Sequence, residues 1–161
     1  MSTLEANYTA AALRAFKQNL DRCTKFFTDL TEDQLNTHVA PGKNRLFYLW
    51  GHLAAVNDAM LPLLGIGERL HPEFDAIFIK SPDGAATDVP SVAELGLAWT
   101  AINEKLLSDM EALAPAEWLE RHTQVSPEDF AKEPHRNRFA ILLGRTSHLA
   151  YHLGQAILAP K

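Results

Sequence analysis

Arg145-Thr146-Ser147-His148-Leu149-Ala150-Tyr151-His152-Leu153-Gly154-Gln155 decides how this chain folds. With Phe139, Leu142, Leu143, Ala156 and Ile157 around it, the stretch repeats apolar residues at mostly helical spacing, which predicts a core-facing helix over about 138–158. Two histidines interrupt that apolar pattern. Side chains at i and i+4 lie on one helix face, one turn apart. His148 and His152 are therefore a ready chelate for a transition metal.

A third histidine, His52, sits in Leu49-Trp50-Gly51-His52-Leu53, inside a second apolar helix. That helix is expected to start at an Asn44 N-cap and to carry Leu46, Leu49, Trp50, Leu53, Val56, Met60 and Leu64. Gly65 and Gly67 end it. Two more segments have helical periodicity. One runs from about Leu4 to Thr28 through Tyr8, Ala12, Ala15, Leu20, Cys23 and Phe27. The other opens at Ser91 with Glu94 completing a capping box, runs through Val92, Leu95, Trp99, Ile102, Leu106 and Leu113, and closes at Pro115. Thr31 to Gln34 can cap a short helical turn. No run alternates as a strand does, and Ile77-Phe78-Ile79 is too short to count. The chain reads as all-α, a four-helix bundle with two long connections at about 66–90 and 114–137.

Helix rise tests whether the histidines meet. If the second and fourth helices run antiparallel, His52, His148 and His152 share one level; if parallel, they are offset by about one turn. Three converging imidazoles would bind a divalent metal and leave one coordination position open. Tyr48 lies one turn before His52, and Gln155 three residues after His152. Both are expected to face the bundle end formed by the 31–44 connection and the C-terminus, where a small-molecule substrate would enter. Tyr48 reads equally as a pocket residue or an ordinary bundle-end aromatic. Gln155 reads as a hydrogen-bond partner or packing residue behind the ligands. Arg145, one turn deeper than His148, is a candidate pocket residue beside the ligands, although pairing with a carboxylate is the favoured reading. Gly154 is explained by close helix packing.

Cys23 and Trp99 fall at the same level. Cys23 reads as a small core residue, and Trp50 and Trp99 as core or interface residues. His38, His71, His122 and His135 fall in connections, the last two toward the opposite bundle end. Glu73, Asp75 and Asp83 lie in the 66–90 connection, where one could fold over the mouth as an acid or base. No residue is assignable as catalytic.

With 161 residues, 47% apolar and 22% charged, the chain has the make-up of one soluble globular domain, 1–161. No apolar run approaches the roughly 18 residues of a membrane span, and no leader pattern is visible. One cysteine excludes an internal disulfide, and a cytoplasmic location is expected. Net charge is −5 with scattered Lys and Arg, which argues against nucleic-acid and membrane partners.

At these residues the chain resembles the DinB/YfiT-like superfamily of small bacterial four-helix proteins. The matching pieces are Gly51-His52-Leu53, His148-Leu149-Ala150-Tyr151-His152-Leu153-Gly154-Gln155, Pro90-Ser91-Val92-Ala93-Glu94-Leu95 and Leu113-Ala114-Pro115-Ala116-Glu117-Trp118. The resemblance implies an up-down-down-up bundle, a homodimer, and a metal held by His52, His148 and His152. It also implies chemistry like that of thiol-dependent transferases and isomerases, with a low-molecular-weight thiol as cofactor; the alternative is a non-catalytic, stress-associated metal-binding protein. Imidazole ligands suit zinc or nickel first, with iron or copper as further choices.

Overall fold

The computed structural model describes residues 3–160. Four long stretches form the bundle: α1 (Leu4–Thr28), α3 (Leu46–Asp58) continued by α4 (Met60–Leu64), α6 (Val92–Ala112) and α8 (Arg138–Ile157). Short helices α2 (Glu32–Leu35), α5 (Phe74–Phe78) and α7 (Pro127–Lys132), with a 3₁₀ turn at Pro115–Leu119, occupy the connections. The described residues contain no strand, only two isolated bridges, His38 to Arg45 and Arg121 to Asn137. The all-α expectation holds. Among the described residues no helix is long and apolar enough to cross a membrane.

Two of the caps are those expected of the sequence. Thr31 and Ser91 each form a full capping box, with Gln34 and Glu94. Thr3 and Asn137 accept from Ala6 and Ala140 to start α1 and α8. Each such cap stabilises its helix by about 1 kcal/mol.

The second helix departs from expectation at its start and in its interior. It starts one residue after Arg45, not at an Asn44 cap. Asp83, from the long connection, accepts from the Arg45 backbone N–H at 2.7 Å and from its guanidinium at 2.6 Å, so a distant carboxylate sets this start. The helix also breaks at Ala59, between α3 and α4. Pro62 lacks the N–H that would bond the Asp58 carbonyl, which explains the break. Gly65, at φ +68°, closes α4 in the left-handed region.

α3 is the central helix. Of its residues only His52 is not buried. A helix apolar around its whole circumference must be covered on all sides, and α1, α5, α6 and α8 pack around this one. Asn57 donates to Asn103 at 2.7 Å, and a Cβ at Gly96 would touch Trp50. Both contacts are offset by 46 residues, so α3 and α6 run parallel. A parallel pair needs a connection that runs the length of the bundle, which is what 66–90 does.

That connection is ordered by ion pairs. Asp58, fully buried, accepts from Arg69 Nε at 3.0 Å and from the backbone N–H groups of Leu70 and His71. Arg69 also reaches Asp75 at 2.6 Å. These bonds set α5 against α3, where Phe74 and Phe78 are buried. The Phe78 ring occupies the space a Cβ at Gly51 would need, so only glycine fits there.

On the remaining helices the apolar pattern is mostly core. Phe16, Leu20, Cys23 and Phe27 face inward on α1, whereas Tyr8, expected inward, is exposed. Trp50 stacks on Phe27 with ring centres 5.9 Å apart. Trp99 donates to the Thr24 hydroxyl at 2.8 Å. Both tryptophans are therefore core residues. On α8, Leu142, Leu149, Leu153 and Ala156 are buried while Leu143 and Ile157 point outward. Gly154 has nothing within 4 Å of a would-be Cβ, so close helix packing does not account for it.

Candidate metal centre

α3 and α8 bring His52, His148 and His152 together, and the three can present one ligand atom each to a shared point. The Nε2 atom of His148 lies 3.3 Å from Nε2 of His52 and 3.1 Å from Nε2 of His152. Among the described residues no carboxylate, thiol or fourth histidine joins this group.

Two of the rings are held from behind. His52 Nδ1 lies 3.0 Å from the Phe78 carbonyl oxygen. His152 Nδ1 lies 2.8 Å from Gln155 Oε1, and Gln155 in turn donates to the Tyr151 hydroxyl at 3.1 Å. Carbonyl oxygens only accept, so each Nδ1 carries the proton and each Nε2 is left with a bare lone pair. His148 Nε2 therefore faces two acceptors and can donate to one at most. At least one short contact between nitrogens is therefore left without a proton to share, which a cation between them would resolve. Tetrahedral ligands about 2.0–2.1 Å from a zinc ion stand about 3.3 Å from one another, close to the spacing seen here. The donor set and its outer hydrogen bonds fit a divalent transition metal.

The surroundings keep the rings neutral. His148 is pushed down to about 4, first by burial, then by its neighbours His152, His52 and Arg145. His52 and His152 are also lowered, in each case chiefly by burial. Neutral imidazoles are what a metal requires at physiological pH. All three histidines are only partly buried.

The other residues singled out in the sequence contribute no ligand to this cluster. Tyr48 is buried and donates to the Ser81 carbonyl at 2.6 Å, which ties the long connection to α3. Arg145 forms no ion pair among the described residues, contrary to the expectation of a carboxylate partner. Cys23 is fully buried, its thiol directed at the Leu149 carbonyl 3.7 Å away, and burial pushes it up to about 12. It is a core thiol and not a ligand. Asp83 pairs with Arg45, Asp75 with Arg69 and Glu73 with His71. None of these carboxylates reaches His52, His148 or His152. His122 and His135 also lie outside the cluster. The Phe78 carbonyl is a functional group that sequence reading missed, because a backbone oxygen has no residue-type signature.

A cavity of about 910 Å³ lies between the 71–90 segment and α6, lined in part by Phe74, Ile77, Val89 and Leu97. It touches none of the three histidines.

Comparison with curated proteins finds no match. The DinB superfamily family model matches residues 15–156, which takes in all three histidines and all or most of each long helix except the first eleven residues of α1. The chain belongs to the DinB superfamily.

Proposed function

We propose that this protein is a metal-dependent enzyme acting on small molecules, with a thiol-dependent S-transfer or isomerisation favoured over hydrolysis. One observation carries the reading: three neutral imidazole Nε2 atoms converge while no fourth protein ligand approaches among the described residues. A centre with three protein ligands and an open position is the pattern of catalytic rather than structural sites. The thiol preference follows from the family resemblance, and from the lack of a usable protein thiol, since Cys23 is buried and protonated.

A divalent metal held there supplies Lewis-acid polarisation and lowers the pKa of a water or thiol in the open position. The protein contributes the rest. His52, His148 and His152 donate lone pairs; the Phe78 carbonyl and Gln155 fix two of the rings by accepting from Nδ1. Burial of α3 behind His52 gives the ligands a rigid floor. Zinc or nickel suits three imidazoles best, with iron or copper as further candidates.

A non-catalytic metal-binding role is the second reading. It is favoured by the engagement of Glu73, Asp75 and Asp83 in ion pairs, which leaves no obvious acid or base at the centre. Pairing of two copies belongs to the same proposal. The outward face of α8 carries Leu143, Ala150, Tyr151 and Ile157 and no charged side chain. Sedimentation at micromolar concentration distinguishes one copy from two.

Metal-loaded protein incubated with low-molecular-weight thiols and a panel of electrophiles tests the enzymatic reading. Turnover that needs both metal and thiol is expected. Metal bound stoichiometrically with no turnover across thiol and hydrolase panels would favour the second reading.

A further inference from the structure

Arg145 is the unusual cation of this structure. Five arginines are half-buried: Arg45, Arg69, Arg136, Arg138 and Arg145. The first four each hold a carboxylate, on Asp83, on Asp58 with Asp75, on Glu133 and on Glu120. Arg145 holds none, and no hydrogen bond to it exists among the described residues. A guanidinium stays charged at any physiological pH. Removing it partly from water without a partner carries a desolvation penalty. Its pKa is lowered by burial, whereas the Asp83 hydrogen bond raises that of Arg45.

Its position gives that unpaired charge a use. Arg145 precedes His148 by three residues and His152 by seven, and all three lie on one half-buried face of α8 with Ile141 and Gln155. Its charge bears on both His52 and His148. The three ligands are neutral, and no carboxylate stands among them. A divalent cation held there would keep its full charge, with Arg145 adding one more beside it. Such a centre attracts anions and discriminates against cations.

We propose that Arg145 selects a carboxylate-bearing small molecule, binding the carboxylate through its guanidinium fork while another atom of the same molecule meets the histidine-held metal. The proposal rests on the metal-centre reading and adds the substrate class to it. The planar fork matches a carboxylate with two parallel hydrogen bonds, which a point charge cannot reproduce. Arg145 is thus a specificity residue; it supplies no proton and no ligand to the metal.

Cobalt(II)-loaded protein, titrated with mercaptoacetate and with 2-mercaptoethanol and followed by cobalt absorption, tests this. The two probes share the thiol and differ in the carboxylate. Wild type is expected to bind mercaptoacetate about tenfold or more tightly than 2-mercaptoethanol, the range of one charged hydrogen-bonded pair. Arg145→Gln should erase that preference and leave 2-mercaptoethanol affinity unchanged. Arg145→Lys should keep only part of it, and keeps the proposal testable if the glutamine variant does not fold. No preference in wild type, no response to either probe, or a preference undiminished in the variants overturns the role of Arg145 while cobalt uptake stands. Failure of wild type to take up cobalt overturns the metal centre itself, and this inference with it.

Discussion

His52 Nδ1 lies 3.0 Å from the carbonyl oxygen of Phe78, a residue 26 positions further along the chain. A candidate metal ligand on the most buried helix is thus aimed by the backbone of the long connection. Gly51, next to His52, makes this possible, because the Phe78 ring fills the space above its Cα.

Gly51→Ala should therefore weaken the centre without touching a ligand. A Cβ there collides with a rigid ring, and overpacking a core costs about 1–3 kcal/mol. Displacing Phe78 also removes the partner of His52, a loss that typically lowers metal affinity by about 10–100-fold. Urea unfolding of the metal-free protein reads the first effect and competition with a chromophoric chelator the second. Wild-type affinity in a destabilised variant would mean that the Phe78 carbonyl does not position His52.

Asp58→Ala should be among the most destabilising single changes. It leaves Arg69, at 15% side-chain exposure, without one of its two carboxylates, and two backbone N–H groups without an acceptor. Breaking a buried pair in this way costs about 3–5 kcal/mol. The midpoint of urea unfolding measures it, and hydrogen exchange should show loss of protection starting at Leu70 and His71. A change below 1 kcal/mol, the scale of a surface pair, would show that the 66–90 connection is anchored elsewhere.

The metal-free protein should lose stability as pH falls below the ordinary histidine pKa of about 6.5. The sign follows from the lowered values of His52, His148 and His152. Above that pH both folded and unfolded states keep these rings neutral, and stability is at its full value. Below it the unfolded chain takes up protons that the folded chain refuses, so stability falls until His148 itself protonates at about 4. Thermal midpoints between pH 7 and pH 5, a range above most carboxylate titrations, check this against His148→Asn, whose slope should be shallower. Equal slopes in the two proteins would show that His148 is not the group responsible.

Much of this fold is legible in the sequence because its determinants are local. The capping boxes at Thr31 and Ser91, and the apolar rhythm of α6 and α8, are set by residues within a turn or two of one another. The histidine cluster is legible for the same reason: i and i+4 spacing fixes half of it, and matching helix levels the other half. What could not be read is non-local. The start of α3 depends on Asp83, 38 residues away from Arg45. α5 has five residues, too few to show a period, and is set by Asp58 and Arg69. Pro62 was visible, yet its effect falls four residues earlier, at the Asp58 carbonyl. Tyr48 and Arg145 were placed correctly on their helices, but their partners, or the lack of them, depend on which segments fold across.

Metal content per chain, measured by elemental analysis after loading and desalting, is the most direct test. One divalent ion per wild-type chain is predicted, and none in the triple variant His52→Ala, His148→Ala, His152→Ala with its helical content intact. Metal retained by the folded triple variant, or absent from wild type after loading with zinc, nickel, copper or iron, would contradict a three-histidine centre.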